Sequence, residues 1–308
     1  MNREAGCFRI PRWLRTTAAV AVMLLCFFYL GRTLWLGARQ VDWSELTVRP
    51  GPLILSAVLF TVATLIGGLC WSLLLEGLGQ RQPLRANVKT HLRANVAKYL
   101  PGYAWQILGK AYLCRVQGLP MGPVGVGIGL EFITVILTGA WVALVTAPTA
   151  WLEALGAGTL IAWRWPLAVA LGALLVGLPW CLSLVFERVE IIRRRTESIR
   201  IVARPLWWML LWMLLAWLLL GLAVYGLIAS LSMMHPGQWL AITSGWAASA
   251  ILSLVVVFVP MGIGVKESAL TFLLSPVVPT ALAAVIAVLA RVLTILGEAL
   301  CFVIAQRL

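Results

Sequence analysis

Seven stretches of this chain are each apolar for long enough to cross a hydrocarbon core about 30 Å thick, which takes about 20 residues. They lie at 16–36, 52–75, 121–146, 161–186, 207–231, 239–259 and 278–305. A backbone inside lipid must satisfy its own polar groups, so such runs fold as helices. Composition agrees: of 308 residues, 62% are hydrophobic and 11% charged, and the mean hydropathy is +0.96. A soluble domain of this make-up would leave too little polar surface to face water. The expected fold is all-α, a polytopic helical membrane protein of about 7–8 spans forming one integral membrane domain over 1–308. Trp favours membrane–water boundaries, and Trp35, Trp43, Trp151, Trp163, Trp165, Trp207 and Trp239 sit at these edges.

Basic residues set the orientation. Arg3, Arg9, Arg12 and Arg15 precede the first span, seven Lys and Arg from Arg81 to Arg115 follow the second, and six from Arg188 to Arg204 follow the fourth. If the spans alternate, all these lie on one side, and the positive-inside rule makes that side cytoplasmic. The N-terminus is then inside a cell (inner or plasma) membrane, and the start of the chain reads as a retained anchor rather than a cleaved signal. Parity leaves the side of the C-terminus open.

Two stretches interrupt the pattern alike. Ala97-Lys98-Tyr99-Leu100-Pro101-Gly102 and Val257-Phe258-Val259-Pro260-Met261-Gly262 each put Pro and Gly beside an apolar run and continue into a short helix with a Lys. Pro and Gly break helices, and freed backbone groups at membrane depth survive only beside protein or a water-filled cavity. Segments 84–117 and 263–275 therefore read as re-entrant or interfacial half-helices, and 52–146 and 239–308 as candidate repeat halves. The span count puts both breaks at the cytoplasmic end of the preceding span, which favours same-side repeats or else a further crossing near residues 84–117.

Charges inside the apolar region are functional by default. The candidates are Arg93, Lys98, Tyr99, Gln106 and Lys110 around the first break, and Glu131 within 121–146. Gly264, Lys266 and Glu267 follow the second break, and Arg291 and Glu298 share one face of the last span. They can be read as structural pairs such as Glu267 with Arg291 or Lys266 with Glu298, since buried ions must be paired. Yet the cations outnumber the carboxylates and cluster where half-helix N-termini offer free N–H groups, an arrangement that suits a phosphate.

Other classes find little support. The net charge of +13 belongs to juxtamembrane loops that attract anionic lipid, so no nucleic-acid partner is expected. Cys26, Cys70, Cys181 and Cys301 lie in apolar spans and read as buried free thiols. With His91 and His235 as the two histidines, no metal site or cofactor is expected. No nucleophile triad, P-loop or dinucleotide fingerprint occurs.

Lys98-Tyr99-Leu100-Pro101-Gly102, then Gln106, Gly109, Lys110 and Gly118-Leu119 ahead of a span with Glu131, resembles the first signature of the lysylphosphatidylglycerol synthase transmembrane-region, or flippase-like, family. Pro260-Met261-Gly262-Ile263-Gly264-Val265-Lys266-Glu267 resembles its second, and Arg291 matches an Arg typical of the next span. The resemblance implies a role in moving or handling lipids. The aminoacyl-transferase domain of fused members would need a long polar C-terminal region, whereas the chain ends at Leu308, so a lysyl-lipid synthase is not expected. The second motif carries Lys266 where the family often has Arg, a point charge in place of a bidentate fork.

The expected function is a lipid translocase, flippase- or scramblase-like, and not an enzyme. Lys98, Lys110, Lys266 and Arg291 would hold a phosphate-bearing or otherwise anionic headgroup in a groove formed with Pro101, Gly102, Pro260 and Gly262. Glu131, Glu267 and Glu298 would pair or tune these cations. No ATP-binding motif is present, so movement would be passive or ion-coupled. The alternatives are a membrane-embedded transferase using His91, Glu131 or Glu267, disfavoured because Asp42 is the sole Asp, and a non-catalytic subunit that docks lipid- or glycan-synthesis enzymes through 187–207.

Overall fold

The computed structural model describes residues 48–99, 105–188, 199–256 and 264–308, and positions 28, 29, 31, 32 and 35 ahead of them. The expected first span at 16–36 falls almost wholly outside the described residues, as do both Pro/Gly breaks with Pro101, Gly102, Pro260 and Gly262.

From residue 48 onward the described residues form ten α-helices: α1 (Pro50–Gly77), α2 (Leu84–Val96), α3 (Trp105–Val116), α4 (Met121–Thr146), α5 (Thr149–Ala154), α6 (Gly158–Arg188), α7 (Ala203–Ala229), α8 (Trp239–Val255), α9 (Val265–Leu274) and α10 (Thr280–Arg307). Short 3₁₀ turns at Ala97–Tyr99 and Pro236–Gln238 extend α2 and precede α8. No strand occurs among the described residues. Six helices, α1, α4, α6, α7, α8 and α10, are long and apolar enough to cross a membrane. They reproduce the expected segments to within a few residues.

Proline marks where helices begin. Pro83, Pro120, Pro148 and Pro279 stand at the N-caps of α2, α4, α5 and α10, because proline suits a helix start and breaks a helix interior. Along α4, the hydroxyls of Thr134, Thr138 and Thr146 donate to carbonyls four residues back at 2.6–2.7 Å, which satisfies polar groups on an otherwise apolar helix.

Helix directions follow from close contacts. The Ser56 hydroxyl donates to the Ala223 carbonyl at 2.7 Å near one end of α1, and Gly77 meets Leu206 at the other, so α1 and α7 are antiparallel. Gly127 of α4 lies beside Trp71 and Leu78, and the Ser244 hydroxyl of α8 donates to Ala143 near the far end of α4. The last helix, α10, runs parallel to α1: Gly297 lies against Thr61, and Arg93 of α2 donates to Gln306 at 2.5 Å. The C-terminus therefore lies at the α2–α3 end of the bundle, which parity had left open.

Two helical hairpins complete the bundle. In the first, α2 turns back along α1, with Asn87 bonded to Ser72 and His91 against Gly67. Helix α3 returns beside it through Gln106–Asn95, Lys110–His91 and Gln117–Thr90. From Gly77 to the level of Gly67 this hairpin rises about 15 Å along α1. In the second, α9 folds back on α8: Leu273 lies beside Gly245, and its carbonyl accepts from the Trp151 indole at 3.0 Å. Trp151 is in α5, at the opposite end of the bundle from Ser72. The hairpins thus open toward opposite ends. The expectation of same-side repeats is corrected, because α9 turns back along α8 to the Trp151 end and so opens the second hairpin away from the α2–α3 end.

One further expectation changes. Cys70, Cys114 and Cys301 are buried, but Cys181 is exposed because α6 lies at the periphery of the bundle. Trp151, in the connection between two spans at one end of the bundle, packs in a small cluster with Ala147, Leu152 and Ala241, and its boundary position stands unchanged by that burial.

Candidate functional site

Residues on either side of the two breaks line one cavity of about 400 Å³ between α1, α4, α7, α8 and α10. Lys98 and Tyr99 reach it from the 3₁₀ turn before the first break, Lys266 and Glu267 from α9 after the second, and Arg291 and Glu298 from α10. Phe60, Phe132, Trp217 and Trp246 give it apolar walls. A volume in this range suits a small-molecule or headgroup site.

The geometry of the second motif explains its residue types. Gly264 sits at φ +83°, where a side chain would be strained, and starts α9. Its N–H donates to Glu267 Oε2 at 2.8 Å, half of a capping box. Glu267 Oε1 is 3.4 Å from Arg291 Nη1. The N–H at the start of α9, expected to be open to a ligand, is therefore taken by the chain's own carboxylate. Lys266 is left facing the cavity with its Nζ 3.5 Å from the centre of the Trp246 ring, a cation–π contact.

Before the first break, Lys98 is ion-paired with Glu298, and the Tyr99 hydroxyl donates to Glu298 Oε2 at 2.7 Å. Gln106 donates to Asn95 at 3.3 Å. Lys110 lies behind the wall rather than on it: 2% exposed, it donates to Glu131 Oε2 at 2.5 Å and packs over the Trp71 ring at 4.1 Å. Its ammonium is also 3.1 Å from His91 Nδ1. Arg93 points away to Gln306 and does not line the cavity.

Among the described residues, the three carboxylates of this region each hold a cation: Glu131 with Lys110, Glu267 with Arg291 and Glu298 with Lys98. The Glu267–Arg291 pair matches the structural pairing read from sequence, whereas Glu298 pairs with Lys98 instead of Lys266. Lys266 is the cavity cation without a carboxylate partner among these residues. Burial lowers its pKa to about 7, with Glu267 pulling the other way. An anion entering the cavity would hold the charged form.

Sequence reasoning missed Trp246 and Trp71, the aromatic partners of Lys266 and Lys110. Neither lies at helical spacing from its lysine, so no local signal joins them. His91 was singled out only as a possible acid–base group.

This fold of apolar helices around a charged cavity defines an integral, multi-pass membrane protein. The chain matches the family described as Lysylphosphatidylglycerol synthase TM region over residues 16–300, and it belongs to that family. It is a membrane protein of lipid metabolism or transport. A comparison with curated proteins finds no match.

Proposed function

We propose that this protein moves a lipid bearing a phosphate or other anionic headgroup across a cell membrane, without covalent chemistry. The observation that carries this reading is the charge pattern of the cavity: three ion pairs and one cation, Lys266, with only an aromatic ring beside it among the described residues. The Lys98–Glu298 and Arg291–Glu267 pairs tie the residues flanking the two breaks to α10, Lys110–Glu131 ties α3 to α4, and Lys266 takes the headgroup. The two hairpins enter the membrane from opposite faces as re-entrant elements. The basic α2–α3 end is cytoplasmic by the positive-inside rule, with the N- and C-termini on that side. Partners are membrane lipids and, at the basic face, enzymes that make or use them. Against a transferase, each carboxylate on the cavity wall is already bound to a cation.

The test is movement of fluorescent phosphatidylglycerol, phosphatidylcholine and a glycolipid in proteoliposomes. Headgroup-selective movement that is lost in Lys266→Gln and kept in Lys266→Arg is the expected result. Equal movement by wild type and Lys266→Gln, with both folded, would overturn the site assignment.

A further inference from the structure

The headgroup reading takes Lys110–Glu131 as a structural pair and gives no role to the histidine beside it. His91 of α2, Lys110 of α3 and Glu131 of α4 meet within hydrogen-bond reach. Lys110 Nζ is 3.1 Å from His91 Nδ1 and 2.5 Å from Glu131 Oε2, and His91 Nδ1 is 3.3 Å from Glu131 Oε1. Three consecutive helices converge here, and Gly67 lets the imidazole lie against α1: a Cβ there would stand 3.1 Å from His91 Nε2. His91 and Glu131 are on the cavity wall, while Lys110 is behind it.

The cluster also has a polar route to the α2–α3 end. One turn before His91, the buried Asn87 amide donates to Ser72, and Ser72 lines a polar recess with Glu76, Arg81 and Gln82. Beside this route, Asn87 Oδ1, Gln117 Oε1 and Trp71 Nε1 are buried and find no hydrogen-bond partner among the described residues. Buried polar atoms of this kind are where ordered water binds. A bare structural ion pair between Lys110 and Glu131 would need neither a histidine between its partners nor polar side chains leading outward.

We propose that His91, Lys110 and Glu131 form one proton-binding site, reached along Ser72 and Asn87, whose occupancy couples proton binding to an anionic group in the cavity. In the unloaded state His91 is neutral, and its Nδ1 lone pair accepts from Lys110, which places the ring proton on Nε2. A proton arriving from water binds Nδ1, which ends the Lys110 hydrogen bond to that atom, and no covalent bond breaks. The imidazolium N–H then donates to Glu131 Oε1, while Lys110 keeps Glu131 Oε2 and the Trp71 ring. Loading thus adds one positive charge to the wall that faces the lipid headgroup. By linkage, an anion in the cavity must tighten proton binding by the factor by which the proton tightens anion binding.

The groups that face this site are Cys70 from α1, Lys98 from the 3₁₀ turn, Lys110 and Cys114 from α3, and Glu131 from α4. Burial, and then the Lys110 ammonium, lower the pKa of His91, while Glu131 opposes them. The coupling half of the proposal rests on the headgroup reading above, whereas the proton site does not.

The sequence has two histidines, so imidazole NMR of the full chain, labelled at histidine, gives two titrations, and His235→Gln assigns them. His235 precedes α8 at the opposite end of the bundle and reports the pH shift caused by lipid surface charge. In phosphatidylcholine nanodiscs His91 should titrate below the ordinary histidine range. In phosphatidylglycerol nanodiscs its midpoint should rise relative to His235 by about one pH unit, a tenfold gain in proton affinity. Glu131→Gln should abolish that relative shift. Midpoints that move together in both lipids would overturn the coupling, and a His91 that titrates with His235 in both lipids and in Glu131→Gln would overturn the site. A relative shift in protein that moves no lipid would support the proton site and its anion coupling while sinking the translocase reading.

Discussion

Each oxygen of the Glu267 carboxylate has its own partner, Gly264 N–H for one and Arg291 for the other. Removing one member of a partly buried pair leaves the other uncompensated, so Glu267→Ala should lose about 3 kcal/mol of stability. Glu267→Gln keeps an oxygen for the cap and should lose less. The Glu267→Gln/Arg291→Gln double variant should recover part of the loss, because no lone charge remains. Thermal unfolding in detergent measures these and Arg291→Gln alone, and a double variant that loses as much as Glu267→Gln and Arg291→Gln together would contradict the pairing. Lys266 calls for a pH experiment. With a pKa lowered to about 7, it is charged below that pH and neutral above it. Affinity for an anionic headgroup should therefore fall as pH rises from 6 to 8.5, and Lys266→Arg should flatten that part of the profile, since arginine stays charged. The charged residues themselves were legible in the sequence, because charge within apolar segments stands out. Their pairing was not, since Lys98–Glu298 joins positions two hundred residues apart and nothing local selects it over Lys266–Glu298.

Helices α7 and α8 approach closely because Gly221 has no side chain: a Cβ there would stand 2.0 Å from Thr243 Oγ1 and 2.6 Å from its Cβ. Gly221→Ala should destabilise by about 1–3 kcal/mol, or prevent folding, through overpacking, and Thr243→Gly should restore much of the loss. Unchanged stability of Gly221→Ala would contradict the close approach. The spans were easy to read because an apolar run of this length has few other fates. The short helices were harder. Segment 84–117 carried the polarity of a loop and the apolar content of a buried helix, and only its contacts with α1 show that α2 folds back into the bundle. Span parity took 239–259 for a full crossing with its break at the cytoplasmic end, and so favoured repeats on the same side.

For the whole molecule, the two hairpins open at opposite ends, and the C-terminus lies with the first. Single cysteines at Gly118 and Leu308 should label from one side of a sealed vesicle, and those at His235 and Ser275 from the other. Labelling of Gly118 and Ser275 from the same side would overturn this arrangement. The membrane class and the family could be read from the chain itself. That both motifs serve one cavity could not, because only the packing of α10 against the residues flanking the two breaks brings Lys98 and Lys266 to the same wall.

The most direct measurement is native mass spectrometry of the lipids retained by purified wild type, Lys266→Gln and Lys266→Arg. Wild type and Lys266→Arg should hold an anionic lipid in preference to a zwitterionic one, and Lys266→Gln should lose that preference. The same anionic lipid retained equally by all three would contradict the account.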